Sequence, residues 1–219
     1  MPAENVHDGD EDDSVWNPSQ RERETALLFV YEQLSDAITR FSERIPTVQT
    51  AEDAAWVARC LLDLEIWVDH CNDSSERAQQ FWQDYVRDLN ELVRDLKTPI
   101  ECEVTARYLL LAQGLLTGSK KGDNPTYNAT AAKEIDRQEY RKIESAPLSK
   151  FVHPTALSMF TMSDMGNLKN RLREGFVAQA EKYALNARTR LSSGLLAEAH
   201  SKFGPIADRL RKPSSRLED

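Results

Sequence analysis

The feature that most limits what this chain can become is the spacing of its apolar residues. Ala78, Trp82, Tyr85, Leu89, Leu92 and Leu96 recur four and three apart, and Phe81 and Val93 widen the stripe. On a helix this spacing gathers side chains on one face, whereas a strand would scatter them over both. A stripe that broad predicts a helix facing a bundle rather than a single neighbour. The pattern also runs through Leu27, Val30, Tyr31, Leu34, Ile38, Phe41 and Ile45. Asn17 suits the cap of that helix and Pro18 its first position, and Pro46 is expected to end it.

The segment from residue 51 to about residue 70 reads differently. Ala54, Val57, Ala58, Leu61, Leu62, Leu64, Ile66, Trp67 and Val68 cover more than one helical face. Such a helix is central and buried on several sides. Thr50 and Asp53 make a capping box with Asp in place of the usual Glu. Asp63, Glu65 and Asp69 are its polar exceptions. Glu65 and Asp69, four apart, share a face in the geometry of a paired-carboxylate site; a solvated acidic strip is the expected reading. Asp73 or Ser74 is expected to cap the third helix. Thr98 with Glu101, and Pro99 at the first helical position, start a fourth helix dense in leucine that Gly118 ends.

Four helices joined by short connections predict an antiparallel bundle over residues 17–117. Residues 118–129 read as a linker, where glycine, asparagine and proline mix with Lys120 and Lys121 and no periodicity survives. A smaller helical half is expected over residues 130–211. It would hold a short polar helix from about residue 130 to 145, closed by Pro147. His153 and Pro154 would then open a segment where Met159, Met162 and Met165 fill core. A long helix over residues 165–191 follows, rich in small residues that would let another helix approach closely. Beyond Ser192, Ser193 and Gly194, a last short helix is expected to end at Gly204 and Pro205. Eight glycines and nine prolines are too few for a turn-rich β fold. The fold class expected is therefore all-α, a four-helix-bundle-like N-terminal half followed by a smaller helical C-terminal half.

Charge divides along the same line. Residues 1–99 carry 9 lysines and arginines against 22 acids, and residues 100–219 carry 19 against 14, within a net charge of −8. Residues 1–16, with five carboxylates between His7 and Ser14, are expected to be a disordered acidic arm, and residues 212–219 a tail. In the basic half the long helix carries six cations against only Glu174 and Glu181. A contact surface for an acidic partner or a phosphate backbone is expected at Lys120, Lys121, Lys169, Arg173, Arg188, Arg190, Arg211 and Lys212.

Chemistry is sparse. The chain has no GxxxxGK[ST], GxGxxG, HExxH or GxSxG pattern. Cys60, Cys71 and Cys102 are odd in number without CxxC spacing, so buried free thiols are expected rather than disulfides or zinc. The four histidines lie in different segments, and His70, beside Cys71, reads as a structural residue at a helix end. No catalytic, cofactor-binding or metal residue is expected, and an enzyme is the lesser expectation. No apolar stretch is long enough to span a bilayer, and the acidic N-terminus is unlike a signal peptide. A non-secreted, intracellular or cytoplasmic protein follows, or one within a virus particle if it is coat-like. The expected function is a non-enzymatic helical assembly or interaction protein that self-associates through its acidic front and basic back. The partner would be a second copy or an acidic protein. The other reading is a nucleic-acid-binding accessory or coat protein contacting phosphates through the basic half.

Overall fold

The computed structural model describes residues 18–95, 126–153 and 166–211. The described residues form seven α-helices, a single 3-10 turn and no strand, so the chain is all-α. The helices are α1 (Pro18–Arg44), α2 (Ala51–Asp73), α3 (Ser75–Asp95), α4 (Asn128–Glu134), α5 (Gln138–Val152), α6 (Gly166–Leu191) and α7 (Leu195–Arg211). The 3-10 turn, Ile45–Thr47, follows α1 and contains Pro46. The acidic arm, the expected fourth helix over residues 99–117, the linker through residue 125, the methionine segment and the tail lie outside the described residues.

Helix starts follow the sequence closely. The Thr50 hydroxyl accepts the Asp53 amide at 3.1 Å and so caps α2. Ser74 does the same for α3, accepting the Arg77 amide at 3.3 Å. Pro46 follows the end of α1 as expected, but two other prolines expected to stop helices do not. Pro147 lies inside α5 and Pro205 inside α7. Each removes one amide donor and leaves the carbonyl four residues earlier unpaired in the ladder. Both prolines are exposed, as are Ile143 and Ser201 at those earlier positions, so water can satisfy the freed carbonyls. The buried Leu148 and Phe151 beyond Pro147 hold the continuing helix to the core. His153 follows the last residue of α5, and the helix start expected after it lies outside the described residues.

The helix at the centre is α2. It packs against α1, α3, α4, α5, α6 and α7, and most extensively against α6. Small side chains permit that closeness. Ala54, Ala58, Ala180 and Ala184 belong to one buried cluster with Leu61, Leu62, Leu148, Phe151, Phe176 and Tyr183. A second cluster joins Val30, Leu34, Ile38 and Val68 to Ala187, Leu191 and Leu196. Both clusters draw on residues before 95 and after 126. The described helices of the acidic half therefore do not close a core of their own; they share one with the basic half. The packed interior is continuous across the boundary that composition marks at residues 118–129.

Asn72 fastens the end of α2 to the turn between α6 and α7. Its Nδ2 donates to the Arg190 carbonyl, and its Oδ1 accepts the Leu196 amide, each at 3.0 Å. One side chain thus satisfies an end carbonyl of α6 and a first-turn amide of α7. Gly194, at the cap of α7, has no side chain to do this, and a β-carbon there would stand 2.3 Å from the Asn72 carboxamide.

Candidate functional site

A buried hydrogen bond of Glu65 is the centre of the most concentrated polar cluster in the structure. Glu65 and Asp69 stand one turn apart on α2, as their spacing requires. They are not a solvated strip. Glu65 is fully buried and Asp69 largely so, because α2 is covered on nearly every side. A carboxylate in that setting needs partners, and the basic half supplies them. Arg137 donates from Nη2 to Glu65 Oε1 at 2.8 Å and from Nη1 to Asp69 Oδ2. Arg190, in the last turn of α6, donates to the same Asp69 oxygen and lies 3.5 Å from Glu65 Oε1. On the other Glu65 oxygen, Tyr140 donates at 3.2 Å and Asn186 at 3.4 Å. The Arg137 guanidinium also lies 4.2 Å from the centre of the Tyr140 ring.

The backbone that delivers Arg137 is a single turn. Residues 130–145 were expected to be one helix, but the chain stops α4 at Glu134 and starts α5 at Gln138. Between them the Arg137 amide donates to the Ala132 carbonyl at 2.7 Å and the Asp136 amide to Lys133 at 3.2 Å. That pair of bonds is the Schellman closure of a helix. Its left-handed position is Asp136, at φ 55°. Asp tolerates this region better than most residues, though less well than Gly.

The electrostatics follow the burial. Burial pulls the Arg137 guanidinium down, but its bond to Glu65 and the charges of Asp69 and Glu65 together hold it above its ordinary value. Burial first, then the Glu65 charge, pushes the Tyr140 hydroxyl up to about 12, so it remains a proton donor. Two guanidinium groups face two carboxylates, and their charges cancel. Both Glu65 oxygens accept hydrogen bonds, one from Arg137 and two from Tyr140 and Asn186, which ties the carboxylate down rather than leaving it poised as a base. The arrangement is chemically a clamp between the two halves of the chain.

Other ion pairs repeat the theme. Arg59 donates to Asp63 at 3.0 Å and to the Ser149 hydroxyl at 3.0 Å, and Arg141 lies 3.8 Å from Asp63. Arg77 of α3 reaches the Glu134 carbonyl at the end of α4, at 3.2 Å. Glu144 of α5 accepts Lys182 at 2.9 Å and the hydroxyl of the buried Tyr183. Burial and then the bond to Glu144 raise the Tyr183 hydroxyl far above its usual range.

Beside this network Cys71 and His70 are buried and Cys60 is partly buried. Burial lifts Cys60 to about 11 and raises Cys71 further, so neither is a ready thiolate. His70 is fully buried, with neither ring nitrogen hydrogen-bonded among the described residues. Its Nδ1 is 3.6 Å from Glu134, yet burial outweighs that carboxylate and lowers its pKa. The described residues contain no group of three or more His, Cys, Asp or Glu side chains able to hold a metal ion. Nor is any described helix long and apolar enough to cross a membrane.

Of the eight cations expected at a contact surface, the four with described side chains do not gather in one place. Lys120, Lys121 and Lys212 lie outside the described residues, as does the side chain of Arg211. Lys169 and Arg173 sit at the start of α6, and Arg188 near its end. Lys169 and Arg188 are separated by about 28 Å of helix rise. Arg190 faces inward to Asp69 and Glu65. Arg188 borders a surface cleft of about 390 Å³ between the end of α1 and α6, with Glu43, Pro46, Ala184 and Leu185 among its walls. Sequence reasoning passed over Arg137, Tyr140, Asn186 and Asn72. Comparison with known proteins finds no matching family model, no similar curated protein and no similar solved structure.

Proposed function

We propose that this chain is a non-enzymatic helical assembly protein whose copies associate through surface charges of the acidic front and the basic back. The observation that carries this reading is what remains after the inner charges have paired. On the front, Asp36, Glu43, Glu52 and Asp53 make no ion pair among the described residues. On the back, Lys169, Arg173 and Arg188 make none either, alongside the likewise unpaired Glu174 and Glu181 of the same helix. A second copy offers each set the opposite sign. The non-enzymatic part is supported by the state of the chemistry-bearing groups: Glu65 accepts from three side chains, and burial raises the Cys60 and Cys71 thiols and lowers the pKa of the buried His70.

A phosphate backbone is less well matched. Arg190 is already held by two carboxylates, and Lys169 and Arg188 stand at opposite ends of one helix. The test is light scattering on the full chain at about 50 and about 500 mM salt, where screening of exposed charges differs severalfold. Oligomers at low salt that dissociate at high salt support the proposal. A monomer at both, at about 100 µM protein, where even a weak complex would be populated, overturns it. Titration of a labelled oligonucleotide at low salt reports the phosphate reading separately.

A further inference from the structure

The outward face of α6 has a pattern that neither the core nor the ion network uses. Glu174, Ala178, Glu181, Leu185 and Arg188 follow one another four, three, four and three apart. All five are exposed. Residues at that spacing line one face of the helix, where a second helix can lie against them. Leu185 is 66% exposed, one of the most exposed large apolar side chains among the described residues. Glu181 and Arg188 flank it, one turn before and one turn after, and neither has an ion-pair partner among the described residues. The small Ala178, and Gly175 with open space around its α-carbon, leave room for a second backbone. Leu185, Glu181 and Arg188 also line a cleft completed by Glu43, Ile45, Pro46 and Ala184.

An acid and a base placed symmetrically about an apolar residue are complementary to the same sequence run in reverse. When two copies of α6 cross antiparallel about a two-fold axis near Leu185, Glu181 of each copy meets Arg188 of the other. The Leu185 side chains then meet at the axis, beside the two clefts. An isologous contact has this property: the same patch serves both partners. A parallel arrangement would set Glu181 against Glu181 and Arg188 against Arg188.

We propose that this face of α6 is a homodimer interface, with a second copy of the chain as its occupant, antiparallel about Leu185 and locked by two reciprocal Glu181–Arg188 pairs. The inference rests on the self-association in the reading above, but places the contact within the basic half, between an acid and a base of α6, rather than between front and back. A single helix pair is a small interface, so dissociation in the micromolar range is expected.

The experiment is sedimentation equilibrium on the full chain with Glu181→Arg, Arg188→Glu, the double swap and Leu185→Asp. Each replaces an exposed residue, and circular dichroism checks that the helices persist. Each single reversal puts like charges together twice and is expected to weaken the dimer at least about tenfold. The double swap is expected to restore it to within about threefold of the original, and Leu185→Asp to abolish it at micromolar protein. Independently, Leu185→Cys is expected to give a covalent dimer on mild oxidation where the original chain gives none, since residues at a two-fold axis fall within disulfide reach. If the original chain is monomeric throughout, self-association fails and this interface with it. If it associates but the reversals have no effect, or the double swap does not recover, this interface is overturned while self-association stands.

Discussion

The clamp on Glu65 makes a quantitative demand on stability. In Arg137→Ala, a fully buried carboxylate loses its shortest partner, at 2.8 Å, and Asp69 loses one of two guanidinium groups. Removing one member of a buried ion pair costs about 3–5 kcal/mol, because the remaining charge is left without compensation. Two features place this case at the low end. Arg137 is 18% exposed, so some water reaches the site, and Arg190 still lies 3.5 Å from Glu65. Tyr140 and Asn186 also continue to donate. A loss of about 3 kcal/mol is expected. Arg190→Ala should cost less, about 1 kcal/mol, because that guanidinium is more than a third exposed and its pairing is screened by solvent.

The decisive variant is the double replacement Glu65→Leu with Arg137→Ala, measured beside each single change. It removes the buried charge along with its partner and leaves Asp69 paired to Arg190. Apolar replacement of a whole buried pair is often neutral. The double variant should therefore be more stable than Arg137→Ala, with a coupling between the two positions of about 2 kcal/mol. Urea denaturation followed by circular dichroism reads this directly. For a chain of this size, 3 kcal/mol corresponds to a midpoint shift of about 1 M at unchanged slope. If Arg137→Ala unfolds within about 0.5 kcal/mol of the original, or if the two changes simply add, Arg137 is not the partner of Glu65 and the clamp is wrong.

Two further outcomes are expected. Gly194→Ala drives a methyl group into the Asn72 carboxamide, which can move only by giving up its bonds to Arg190 and Leu196. A cost of about 2 kcal/mol follows from two lost hydrogen bonds, and thermal melts should show that cost largely vanish in an Asn72→Ala background; equal penalties in both backgrounds would refute the contact. His70 predicts a pH dependence. Burial lowers its pKa below 6.5, against the raising effects of Glu134 and Asp73 and with Arg77 adding to the lowering, so the unfolded chain binds the proton more tightly than the folded one. Stability is therefore full above the unfolded value and falls as pH drops from about 6.5 through the folded value. In His70→Leu that slope should flatten, and a variant with an unchanged pH profile would show that His70 does not titrate as a buried group.

What the sequence made legible was local. The starts of α1, α2 and α3, the extent of α6 and the burial of α2 all follow from relations within about four residues: Pro18, the Thr50 hydroxyl on the Asp53 amide, the 3-4 spacing. Proline was misleading for a reason equally physical. A missing amide stops a helix only where the freed carbonyl cannot be hydrated and nothing beyond it is anchored, and Leu148 anchors the far side of Pro147. The split at Asp136 was hidden because Schellman turns usually advertise themselves with glycine, and here an aspartate takes the left-handed position.

The clamp itself lies beyond local reasoning, since Arg137 is 72 and Arg190 is 121 residues from the carboxylates they neutralise. Two signals nevertheless pointed to it. A helix whose apolar residues cover several faces must bury its polar residues too, and Asp63, Glu65 and Asp69 are such residues. Burial of a carboxylate without a partner costs several kcal/mol, so partners must exist somewhere in the fold. The other signal was the charge split, with an acidic first half and a basic second half. That asymmetry reads equally as attraction between copies or attraction within one. The shared core decides how much of it is internal: α2 of the acidic half lies against α6 of the basic half, so the complementary charges nearest that contact pair inside the chain. Among the described residues, charges that face away from it, Glu181 and Arg188 among them, stay exposed and unpaired within the chain.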